Sequence, residues 1–338
     1  MKKVVLSVIT SVSLLMGSQD LIKEAKDSGL KAIPESVSEL FKLIDNPKNP
    51  ITKAKVELGK KLYFDPRLSQ SGVISCNFCH NVMEGGDDGV SAAIGHKWTK
   101  NPHHLNSPTV LNSVFNKRQF WDGRSPDLED QAQGPIQAAP EMAATPEHVL
   151  KTVTSIPSYV EEFKKAYGDN VKITFKLVAD TIASYERTLV TPSRFDSFLN
   201  GQKDALNKEE KEGLKTFLQV GCVSCHNGIG IGGEMAPLNV TATYKYNDVG
   251  DFKGDKNGMV KVPTLRNITK TAPYFHNGEI WSLSEAVQEM ARIQLGKKLT
   301  EKETNSIVTF LKTLDGKLAD TQAPILPEST DKTPKPKN

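Results

Sequence analysis

Cysteine is scarce in this chain, four residues in 338. They fall in two close pairs, where disulfides would close loops too small to constrain folding usefully. Charge of one sign is also missing. Forty-three Lys and Arg stand against forty Asp and Glu, a formal charge of +3, so no nucleic-acid-binding face is implied. Long apolar runs are absent apart from Val4 to Met16, which is too short for a membrane span. That run follows Met1-Lys2-Lys3 and ends at the small residues Gly17-Ser18, the pattern of a signal peptide over residues 1–18. No cysteine follows it to carry a lipid, so no stable membrane anchor is expected after its removal, and the formal charge falls to +1 with the loss of two lysines. Strand patterns are few as well, which points away from a sheet protein.

What is present is concentrated in two pentapeptides, Cys76-Asn77-Phe78-Cys79-His80 and Cys222-Val223-Ser224-Cys225-His226. Each is C-x-x-C-H, the attachment signature of a c-type haem, and together they use every cysteine. The spacing has a chemical reason: two thiols add across the porphyrin vinyl groups and the next residue, a histidine, ligates the iron from below. Zinc would need a fourth ligand at each motif, and no second Cys pair or H-x3-5-H remains to supply it. Two covalently bound c-type haems are therefore expected, with Cys76, Cys79, Cys222 and Cys225 as attachment points and His80 and His226 as proximal iron ligands. Such haems are joined outside the cytoplasm, so the leader and the motifs together predict a periplasmic protein.

The motifs lie 146 positions apart, one in each half of the chain. A mainly α fold of two cytochrome c-like domains is expected, over 19–192 and 193–322, followed by a Pro- and Lys-rich stretch, 323–338, that reads as a disordered tail. Helix starts recur. Thr145-Pro146-Glu147 is a cap followed by proline, and Asn207 with Glu210, Ser282 with Glu285 and Thr300 with Glu303 resemble capping boxes. Long irregular stretches, 69–116 and 222–267, make sense if loops wrap a macrocycle in place of side-chain core.

The far side of each iron is less determined. His96 ends a loop containing Gly85, Gly86, Gly89 and Gly95, able to place a ligand over the first haem and to withdraw it, but equally readable as a surface histidine. His103 and His104 look solvated and His148 structural. Met290, on the helix begun by Ser282, is the best distal candidate for the second haem, although a lone helical methionine is usually core filler. On residues alone, Glu141 reads as a loop acid and Trp121 as a core aromatic.

A wider set of segments resembles the bacterial dihaem cytochrome c peroxidases: Gly95-His96-Lys97-Trp98, Asn106-Ser107-Pro108-Thr109, Phe120-Trp121-Asp122-Gly123-Arg124, Gln131 through Met142, Leu189-Val190-Thr191-Pro192 and Ala272 through Gly278. The resemblance covers nearly the whole chain after the leader. It implies reduction of hydrogen peroxide with electrons from a small periplasmic donor, a cytochrome c or a cupredoxin, by a homodimer. It implies His96 as displaceable distal ligand of the peroxidatic haem, Met290 as distal ligand of the electron-transfer haem, Glu141 as acid/base carboxylate, Gln131 as the polar partner of peroxide, and Trp121 between the haems. Asn106, Thr271 and Pro273 match the ligands of a calcium ion, the last two through carbonyls. Two extra residues around His103-His104 depart from the family pattern. Two alternatives stand beside this reading. One is a dihaem electron carrier or redox sensor without enzymatic activity. The other is a relative of the dihaem enzymes that oxidise tryptophans in another protein, where a tyrosine replaces the methionine ligand.

Overall fold

A computed structural model describes residues 17–337, so residues 1–16 of the expected leader lie outside the described residues. Helices dominate, and the only strands among the described residues are Met235–Pro237 and Met259–Lys261, paired antiparallel with Met235 opposite Lys261. The mainly helical expectation holds. No described helix is long and apolar enough to cross a membrane.

Two cores account for the architecture, and each rests on one tight helix crossing. In the first, Lys53–Phe64 crosses Phe175–Glu186 around Leu58, Leu62, Val178 and Ile182, all fully buried. Gly59 permits the approach, because a Cβ there would stand 2.2 Å from the Thr181 carbonyl oxygen. In the second, Lys208–Val220 crosses Glu301–Leu311 around Leu214, Phe217 and Phe310, and Gly213 plays the same part, with the Ser306 carbonyl oxygen 2.2 Å from where its Cβ would be. Each crossing pair brackets one C-x-x-C-H motif. The two halves therefore repeat one arrangement, a likeness the sequence hardly shows.

Capping chemistry sets the helix starts. Thr145 accepts from His148 N, and Asn207 with Glu210 and Thr300 with Glu303 form reciprocal boxes. Ser282 accepts from Glu285 N without the return bond. Gly221 and Gly296 close their helices in the left-handed conformation.

Both ends of the described chain depart from the expected division. Helix Ser18–Asp27 buries Leu21, Ile22 and Ala25 in the second core, not the first. The stretch after Ala323 is not a loose tail but lies along the first domain. Arg67 Nη1 donates to Pro327 O and Ser329 Oγ (both 2.9 Å), Thr330 Oγ1 to Ser155 O (2.9 Å), and Lys337 N to Gln70 O (2.9 Å). Composition misled here because the stretch is fixed mainly by polar contacts to main chain and hydroxyls rather than by apolar burial.

Candidate active site

Each haem motif is one helical turn. Cys76–Cys79 is a four-residue helix and Cys222–Ser224 a 3-10 turn, and the chain folds back so that His80 N donates to Cys76 O (2.9 Å) and His226 N to Cys222 O (3.0 Å). The i, i+3 spacing puts both sulfurs of a pair on one side with the histidine beneath them. All four cysteines are free and half-buried. Tyr63 Oη fixes the first motif by donating to His80 O at 2.7 Å.

Two mainly apolar cavities open at these motifs. The first, about 1190 Å³ of empty space partly continuous with solvent, is walled by Cys76, Cys79, His80, Phe120, Trp121, Arg124, Gln131, Glu141 and Glu186. The second, about 1470 Å³, is walled by Cys222, Cys225, His226, Trp121, Leu265, Phe275 and Met290. Among the described residues neither His80 nor His226 makes a side-chain hydrogen bond, and the buried Nδ1 of each is unsatisfied although carbonyls of Pro108 and Gly86, and of Ile231 and Pro263, lie nearby. Burial lowers both imidazole pKa values, that of His226 to about 4, keeping them in the neutral form that binds metal. Free thiol pairs, neutral unbonded imidazoles and large apolar walls fit covalently attached haems.

The two cavities differ in what they add. Glu141 and Gln131 stand only on the first. Glu141 is half-buried, and its carboxyl pKa is raised by burial, with Arg124 partly opposing. Arg124 stacks on Phe120, 3.5 Å from the ring centre, and bonds Asp122 at 2.9 Å. Met290 stands only on the second, sharing its wall with His226. Trp121 is a wall of both. Its Nε1 donates to Asn106 O (2.9 Å), and its carbonyl accepts from Lys261 N (2.8 Å).

His96 is buried, with its main-chain N donating to Glu141 O (2.8 Å), yet it is not among the residues walling the first cavity. Lys97 and Trp98, next in the chain, both take left-handed angles (φ 57° and 56°), a strained turn for residues with side chains. Asn106, Thr271 and Pro273 all line the second cavity. Asn106 Nδ2 donates to Val90 O, and its N to His276 O (both 2.8 Å), leaving the amide oxygen without a hydrogen bond among the described residues. The oxygen donors suit a hard cation. His103 is exposed, as expected, and pairs with Asp251 at the surface, whereas His104 is half-buried and bonds Glu279 at 2.9 Å, joining the domains. His148, as expected, is structural, bonding Arg67 O at 3.0 Å.

Two wall residues were not singled out from the sequence. Glu186, on the core-facing side of its helix, is fully enclosed, and burial, reinforced by the charge of Glu129, pushes its carboxyl up to about 8. Its placement one turn after the core residue Ile182 was the available signal. Lys261 lines both cavities and had none.

This is the construction of a dihaem c-type oxidoreductase whose two cavities carry different polar side chains. Residues 53–204 match the di-haem cytochrome c peroxidase family model and residues 210–315 the cytochrome c model. The chain is 44% identical to cytochrome c551 peroxidase of Pseudomonas aeruginosa over 98% of its own length and 96% of the relative's. It is 49% identical to cytochrome c551 peroxidase of Nitrosomonas europaea over 82% and 85%. The fold matches the crystal structure of a MauG-like protein associated with microbial copper homeostasis (TM-score 0.69, 24% identity, 80% of this chain and 92% of that one). The chain belongs to the di-haem cytochrome c peroxidase family, and cytochrome c peroxidase activity comes with that membership.

Proposed function

We propose that hydrogen peroxide is reduced in the first cavity, each molecule taking two protons and two electrons to give two waters, and that the second cavity receives the electrons one at a time. Cys76, Cys79 and His80 would hold a haem whose iron would supply the binding of peroxide and its electrons. Glu141 takes the proton from the near oxygen and returns it to the departing one. A carboxyl with a raised pKa is matched to that exchange. Gln131 offers an amide to orient the peroxide. His226 and Met290 would hold the second iron, and Trp121, on the wall of both cavities, would offer the path for electrons between them. His96 is the displaceable ligand, and the strained turn behind it favours its release. The asymmetry of the two cavities, with Glu141 and Gln131 on one and Met290 on the other, supports this reading. The setting is the periplasm, the donor a small cytochrome c or cupredoxin, and the working form a homodimer with calcium held by Asn106, Thr271 and Pro273. The test is peroxide-dependent oxidation of a reduced small cytochrome c. Glu141→Gln should slow it by about 10²–10⁴-fold with haem content unchanged, and near-normal turnover would assign the proton to another route.

A further inference from the structure

Lys261 is 4% exposed and stands at the wall common to both cavities. The hairpin of Met235–Pro237 and Met259–Lys261 carries it there, and the bond from its N to Trp121 O (2.8 Å) locks it to the tryptophan between the sites. Among the described residues its ammonium has no ion pair and no hydrogen bond. Asp122 is the one acid whose charge favours it, and that carboxylate is already bonded to Arg124 at 2.9 Å. An ammonium held at mainly apolar cavity walls without an anion is costly, so one brought from outside the chain would stabilise it. Burial lowers the lysine pKa only to about 8, which leaves it largely charged at neutral pH. The occupants of both cavities bring carboxylates of their own, since every haem carries two propionates.

Resting on the dihaem reading above, we propose that Lys261 is a shared counter-charge for propionate groups of both haems, coupling the potentials of the two irons through one residue. A cation held beside both sites favours the reduced state of each, because reduction removes a positive charge from the iron. Lys261 is thus a positioning and tuning residue, not a catalytic one.

The experiment is a spectroelectrochemical titration of the two-haem protein as wild type, Lys261→Met and Lys261→Arg, with infrared redox-difference spectra of the carboxylate region. In Lys261→Met both midpoint potentials should fall, each iron's reduction equilibrium weakening about tenfold, or about 59 mV for one electron. The propionate bands should shift, and Lys261→Arg should restore both readouts. Unchanged potentials in a Lys261→Met protein that retains both haems overturn the proposal, as does an equal fall in Lys261→Arg, which would point to packing rather than charge. If Lys261→Met loses a haem, Lys261→Gln against Lys261→Arg makes the same comparison. Unchanged potentials with normal peroxide turnover reject the role of Lys261 alone. A wild type that does not turn over peroxide rejects the peroxidase reading while the potentials still judge Lys261.

Discussion

Gly95→Ala is a one-methyl perturbation aimed at the segment carrying the acid. Gly95 has φ −125°, outside the left-handed region, and the effect expected is the steric one of the added methyl. A Cβ at this position would meet Pro140 O at 2.0 Å and Glu141 Cα at 2.7 Å, both main-chain atoms. Restoring an ordinary contact requires the 140–141 backbone or the His96 turn to retreat by more than about 1 Å, and a displacement of about 1 Å at a reacting group already costs about 10²-fold in rate. His96 N donates to Glu141 O at 2.8 Å, so the shift loosens the histidine and the acid together. Stopped-flow mixing of the half-reduced protein with peroxide should show the bimolecular rate falling about 10²-fold at normal haem content. Combining the change with Glu141→Gln should add little to the loss from Glu141→Gln alone, because both act on one group. A Gly95→Ala protein that reacts at the wild-type rate with an unaltered first-haem spectrum would show that this contact does not hold the acid in place.

Met290→His should lower the potential of the second haem and remove its thioether charge-transfer band, and an unchanged near-infrared spectrum would take Met290 out of the site. Glu186, with a carboxyl raised by burial to about 8 from 4.5, stays protonated in the folded state over a pH range where the unfolded chain releases its proton. Stability should therefore be highest below about pH 4.5 as far as this group is concerned. It should fall by roughly 1.4 kcal/mol per unit between 4.5 and 8, and level off above. Denaturant titrations at pH 5 and 7.5 should show Glu186→Gln losing that slope, and an equal slope in both proteins would refute the assignment. Arg266 and Asp196 form a buried bidentate pair (2.8 and 2.9 Å), with Arg266 Nε also donating to Ile229 O beside the second motif. Arg266→Met strands the carboxylate at a cost of about 3–5 kcal/mol, a drop in Tm of roughly 10 °C by the usual size scaling. The double change with Asp196→Asn should recover part of it in thermal melts.

The motifs and caps were legible because they are local: five residues define a haem attachment point, and a cap needs four. The cavity walls were legible only through resemblance, since Glu141, Gln131 and Trp121 have nothing in their own neighbourhoods to distinguish them from loop and core residues. Lys261 shows the limit most clearly. It sits in a three-residue strand with no periodic signal, and its meaning arises only when Trp121, 140 positions earlier, becomes its neighbour. The course of 324–337 was hidden for a related reason, because its partners are carbonyls and hydroxyls that leave no hydrophobic pattern.

The exchange of ends between the domains, with 18–30 in the second core and 327–337 along the first, bears on the order in which the protein can be made. A chain delivered from its N-terminus presents the helix Ser18–Asp27 long before Phe217, Ile307 and Phe310 exist to receive it. That helix must wait, its apolar face exposed, until nearly the last residues arrive. Neither half can then be completed in sequence, and neither can be cut out as a continuous piece without taking a strut from the other. Folding should look like a single late closure rather than two domains finished in turn.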